Sequence, residues 1–259
     1  LTVLVCRTVR PLGPSVRLAA ITAAIVLLFR EPGHTLLAVG AIRFAETALG
    51  IAVGLGVSLL VFPARATTGL RRGIAEALDA TADFHAAVVG RTLRAEADAG
   101  GVDTVRARLK GLRKDNRILL ESARREPRSQ RLTDRLEAML RLEQRLEEHV
   151  MAMEHADPGA SGLLERMGPE LERLAEAVRS GLRGVAAALR ERTEPPGPED
   201  LAVALETVSV RLLELRRGEA TAEYPLDHVM DVHAFVTEMR ILGRNTLRMA
   251  ERVRRLDQD

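Results

Sequence analysis

Arg43 and Glu46 stand three residues apart in RFAETALGIAVGLGVSLLVFP, a stretch otherwise almost free of charge. That spacing puts both side chains on one helix face, about one turn apart. An ionisable pair is costly among apolar residues and is expected to face a cavity, a partner or an interface. Its chemistry would be to attract an anion through Arg43, with Glu46 moderating the charge; a pair that only caps the helix at an interface fits the same spacing. Within the same helix Gly50 and Gly54 form a GxxxG, and Ala48, Ala52 and Gly56 form a second small-residue row. Such rows let helices approach closely in lipid, so Gly50, Gly54 and Gly56 read first as packing positions.

Catalytic and metal chemistry find little to work with. His85, His149, His155, His228 and His233 are scattered, and neither an HExxH nor a serine elbow occurs. Asp227, His228, Asp231 and His233 could turn carboxylates and imidazoles to a metal, but they read better as a polar helix start. No GxxxxGK[ST] loop is present. The expectation is therefore no enzyme, no catalytic residues, no metal and no cofactor.

The elements that must position these residues are helices. The chain has 46% apolar residues but one Tyr, five Phe and no Trp, so aliphatic seams must do the packing. The pI of 9.2 does not mark a nucleic-acid partner, because residues after 63 carry 33 basic against 34 acidic groups. The lone Cys6 excludes an internal disulfide.

Residues 14–29 and 45–62 read as two membrane spans joined by a tight turn at REPGHT, and LTVLVC at 1–6 reads as the tail of a third span that begins upstream. Arg7, Arg10 and Arg17 on one flank and Arg65, Arg71 and Arg72 on the other place both flanks in the cytoplasm. The composition changes after Pro63, so 1–63 is expected to be a transmembrane region and 64–259 a cytoplasmic helical domain. Breakers divide the latter into about six helices, 66–98, 102–125, 129–155, 163–191, 199–217 and 226–256. The series Leu164, Met167, Leu171, Leu174, Val178, Leu182, Val185, Leu189 and the series Leu201, Leu205, Val208, Leu212, Leu215 form coiled-coil-like seams. Between the seams Glu and Arg are expected to face solvent, Glu147 among them, and no internal repeat is visible. The narrow stripes suggest association into a homo-oligomer. The fold class is thus all-α, a partial transmembrane bundle followed by a cytoplasmic bundle.

Arg43, Glu46, Thr47 and Gly50 match the Arg-x-x-Asp/Glu-Thr-x-x-Gly pattern that opens the last span of the fusaric acid resistance (FUSC) and aromatic acid exporter-like families, and the glycine-rich run to Phe62-Pro63 continues the match. The chain resembles a C-terminal part of such a protein. The resemblance implies about six spans before a cytoplasmic helical domain, a bacterial inner-membrane location, and export of small organic or aromatic acids. It also implies a substrate path that includes Arg43, Glu46 and Thr47, and, with no nucleotide loop, the proton gradient as energy source. The partners expected are the lipid bilayer and a small organic anion, with no nucleic acid. A membrane-tethered helical scaffold or regulator without transport is the alternative.

Overall fold

The structure, a computed structural model, describes residues 36–60, 66–95, 101–126, 130–156, 158–159, 162–218 and 223–256. The chain divides into two units, Leu1–Pro63 and Ala64–Asp259. All regular structure among the described residues is helical: α1 (Leu36–Leu60), α2 (Ala66–Arg94), α3 (Gly101–Ala123), α4 (Gln130–Ala156), α5 (Gly162–Glu165), α6 (Gly168–Glu191), α7 (Glu199–Arg217) and α8 (Leu226–Arg254).

In the first unit only α1 is described. The expected span at 14–29, the turn after it and the tail at 1–6 lie outside the described residues. The expected span at 45–62 falls mostly on α1, which is long enough in residues to cross a bilayer. Arg43 and Glu46 interrupt it, however, and the uncharged run from Thr47 to Leu60 is shorter than the ~20 residues a span needs. Among the described residues no helix is both long and apolar enough to cross a membrane. The all-α expectation holds, while its division into membrane and cytoplasmic parts does not follow from the fold.

The second unit is built around α2, α4, α6 and α8, which pack in a closed ring: α2 on α6, α6 on α8, α8 on α4 and α4 on α2. Helix α3 lies against α2 from outside, and α7 lies against α6 in the same way. The contact pattern therefore repeats, with α2–α3–α4 matched by α6–α7–α8, although no repeat is visible in the sequence. Helix α2 can meet three neighbours because its residues are small: Gly69, Gly73, Ala75, Ala77, Ala80 and Ala82 leave room on every side. A Cβ on Gly73 would come within 1.8 Å of the Asn116 Oδ1 of α3, so glycine fixes how closely these two helices lie.

Both seams point inward. Every residue from Leu164 to Leu189 in the first series is buried, and so are Leu201, Val208 and Leu215 in the second, with Leu205 and Leu212 partly covered. The chain itself thus covers the stripes from which association was expected. The expected helix at 163–191 is two helices, because Arg166–Met167 form a turn and α6 restarts with Gly168-Pro169, proline standing where its missing N–H costs nothing. Short α5 is held by Arg211, whose guanidinium donates to the Arg166 carbonyl oxygen, and by Tyr224, whose hydroxyl lies close to Gly162.

The helix ends show how the unit is tied. At the start of α2, the Ala66 N–H donates to Glu126 Oε1 (2.5 Å) and the Thr67 hydroxyl to its Oε2 (3.4 Å), a carboxylate at the positive end of the helix dipole. Buried Arg71 donates from Nε to the Leu189 carbonyl oxygen at the end of α6 (2.7 Å). After α6, Pro196 sits against Gly184, where a Cβ would meet its ring at 2.4 Å, and Arg254 of α8 donates to the Pro196 carbonyl (3.0 Å). Among the described residues two non-glycine ones take left-handed backbone, Ala95 just past α2 (φ 50°) and Arg192 at the end of α6 (φ 58°).

Candidate functional site

Helix α1 brings Arg43, Glu46 and Thr47 together within one turn. The Arg43 guanidinium donates to Glu46 Oε2 at 2.9 Å, and the Thr47 hydroxyl donates to the Arg43 backbone carbonyl at 2.8 Å. The Thr47 bond is the i to i−4 kind by which a hydroxyl satisfies itself on its own helix when its surroundings are apolar. The side chains of Arg43 and Glu46 are 51% and 59% exposed, so the pair is open to whatever surrounds α1. In water such a pair would contribute at most about 1 kcal/mol, and much of its value would depend on a less polar medium.

Spacing along α1 sorts the remaining positions. Arg43, Thr47, Gly50 and Gly54 fall at i, i+4, i+7 and i+11 and share one stripe, with Glu46 at its edge. Gly56 belongs to the opposite side, with Ala52. Nothing lies within 4 Å of where a Cβ would stand on Gly50, Gly54 or Gly56. Phe44, Ile51 and Val53 are more than half exposed, Phe44 at 76%. Such a helix has apolar groups in excess of what water tolerates on one element, and cover from lipid or neighbouring helices would remove that cost.

The polar cluster Asp227, His228, Asp231 and His233 is exposed on the first two turns of α8, with Asp227 in the first turn, where the helix dipole favours a carboxylate. Among the described residues no group of three or more His, Cys, Asp or Glu converges as a metal site.

Sequence reasoning missed a set of buried polar groups in the second unit. Glu147, expected in solvent, is 5% exposed and accepts from Arg113 at 2.5 Å, because α3 lies across α4 there. One turn away Glu143 is buried at 2% exposure; burial first, and the Glu147 carboxylate second, push its carboxyl up to about 8 against the pull of Arg113. His85 is buried with neither ring nitrogen hydrogen-bonded, and burial, helped by the Arg179 charge, lowers it to about 4. Asn116 is also buried with its amide unpartnered. The signal for Glu143 and Glu147 was their place beside Leu136, Leu140, Leu146 and Val150, a stripe too full for a solvent face. These groups are buried in the packed core, so they bear on stability.

A profile of the fusaric acid resistance protein family matches residues 15–236, well over half of the chain. The match takes in α1 and most of the second unit, down to the first half of α8. No curated protein matches the chain closely enough to count as a relative.

Proposed function

The chain belongs to the fusaric acid resistance protein family, and from that premise we propose that it is part of a bacterial inner-membrane exporter of small organic or aromatic acids. In this reading residues 1–63 form spans in the bilayer and 64–259 hang in the cytoplasm, the positively charged flanks setting the orientation. The observation that carries the proposal is the Arg43–Glu46 pair, held on an exposed helix whose other side chains are almost all apolar. A half-neutralised guanidinium is suited to drawing in a carboxylate without holding it, and Thr47 keeps its hydroxyl on the backbone beside it. Gly50 and Gly54 on the same stripe, and Gly56 across the helix, would let neighbouring spans close around this path. The proton gradient is the energy source we favour, and the assembly a homo-oligomer that would form through surfaces other than the seams the chain covers itself.

The test uses the full-length protein in cells challenged with toxic aromatic acids. Arg43→Gln is expected to abolish resistance at wild-type membrane abundance, while Gly54→Leu lowers abundance by blocking close helix contact. Unchanged resistance in Arg43→Gln at equal abundance would move the reading to a membrane-tethered scaffold.

A further inference from the structure

An apolar groove of about 590 Å³ opens between α5, α7 and α8. Leu163, Met167, Leu212 and Val232 form its walls, and its polar groups are Ser209, Arg216, His233 and Arg240. Among the described residues no carboxylate lines it. Its size falls within the ordinary range of small-molecule sites, which combine apolar walls with a few placed polar groups.

Arg240 is the informative residue. It is half-buried, and on α8 it continues the row Val229, Val232, Val236, a seam position at which an apolar side chain would be expected. Its guanidinium donates to Ser209 Oγ at 3.0 Å, and the Ser209 hydroxyl in turn donates to the Leu205 carbonyl at 2.8 Å. Serine is thereby oriented with its acceptor toward Arg240. Among the described residues no carboxylate forms an ion pair with Arg240: Glu206 acts on it only at a distance, and Arg244, one turn along, opposes it. Burial and Arg244 together push Arg240 below the ordinary arginine range. Elsewhere in the unit, half-buried arginines such as Arg91 and Arg106 have glutamates. A guanidinium with a free donor edge, set among aliphatic walls, is the arrangement that recognises an anionic head on an apolar body.

We propose that this groove binds a small amphipathic monocarboxylate, its carboxylate on Arg240 with Arg216 at the rim and its apolar body along Leu163, Met167, Leu212 and Val232. The site is built from residues of the second unit and does not depend on the transport reading. Bound there, an organic acid would report its presence to the helical unit.

Calorimetric titration of the full-length protein in detergent with 4-butylbenzoate, and with 4-butylbenzamide as the uncharged isostere, tests this. The carboxylate is expected to bind at least tenfold more tightly than the amide, and Arg240→Gln to remove that difference. Arg216→Gln, on the exposed rim, should weaken the carboxylate several-fold and keeps the test open if Arg240→Gln fails to fold. Equal binding of acid and amide overturns the proposal, as does undiminished binding in a folded Arg240→Gln or in Arg216→Gln.

Discussion

In the first half of the second unit, residues 66–156, polarity lies inside: His85, Asn116, Glu143 and Glu147 are buried, and among the described residues Ile118 is its one large apolar side chain with more than half its surface exposed. In the second half, 168–254, the distribution is reversed. Among the described residues Asn245 and Thr246 are its buried polar ones, while Val203, Val210 and Leu213 of α7 and Leu226 and Met230 of α8 are exposed. The two halves share a contact pattern, so the contrast isolates what the outer helix does. Helix α3 is drawn tightly onto α2 over Gly69 and Gly73 and seals polar groups beneath it. Helix α7 meets α8 through Leu201 and Leu205 against Gly243 and leaves a groove beyond, so the same architecture can be closed in one half and receptive in the other.

The largest expected effect breaks the closed half. Gly73→Ala forces a Cβ into the buried Asn116 amide and should cost about 1–3 kcal/mol in urea unfolding. Gly243→Ala, which meets only the flexible end of Leu205 at 3.1 Å and Leu201 at 3.5 Å, should cost less than 1 kcal/mol. Adding Asn116→Ala to Gly73→Ala should restore most of the loss, since it removes both the clash and an unpartnered buried amide. Equal costs at positions 73 and 243 would erase the distinction between the outer helices.

A pH series sharpens the contrast next, because both strongly shifted core groups belong to the first half. Glu143 has a raised folded value, so the folded state holds a proton the unfolded chain releases, and stability is lost as pH rises from about 4.5 through 8. His85 has a lowered value, so its contribution is present above about 6.5 and is lost as pH falls toward 4. Between 4.5 and 6.5 the two slopes oppose each other, about a factor of ten in the folding constant per pH unit each at most. The unfolding free energy should therefore be nearly level there and fall from 6.5 to 8. Glu143→Gln should give a curve that rises to 6.5 and then stays level; His85→Leu should give one that falls throughout. An unaltered profile in Glu143→Gln would show that its carboxyl is not held protonated.

The smallest effect concerns the matching helices α2 and α6. Both are followed by a left-handed residue with a Cβ, so Ala95→Gly and Arg192→Gly should each raise stability by about 0.5–1 kcal/mol, additively. A loss at either position in thermal melts would mean that its side chain contributes more than the strain it causes.

Much of the second unit was legible because its seams run at three and four residue spacing over long stretches, and the starts of α2 and α7, the end of α7 and the start of α8 fall where the breakers put them. The break before α6 carried its own mark, Gly168-Pro169, which the continuous apolar series from Leu164 to Leu171 masked. Glu147 misled for a physical reason: a charged residue reads as solvent-facing until the helix lying across it is known, and Arg113 comes from another element. The repeat of α2–α3–α4 in α6–α7–α8 resides in contacts between helices, so periodicity within one helix could not reveal it. At α1 the residues of the candidate path were legible from spacing, and their hydrogen bonds follow that spacing; Arg240 was not, although an arginine on the row Val229, Val232, Val236 was the available sign.

The Glu126 clamp at Ala66 and Thr67 can also be considered as a mechanical joint. The chain enters the helical unit at the first turn of α2, and a pull on that entrance would peel a free helix open one turn at a time, each turn resisting alone. With the Glu126 carboxylate gripping the first N–H from the far end of α3, the load is shared at once between two helices and passes into shear along their common length. Tugging from outside is then borne by the whole α2–α3 pair, and the entrance behaves as an anchor bolt.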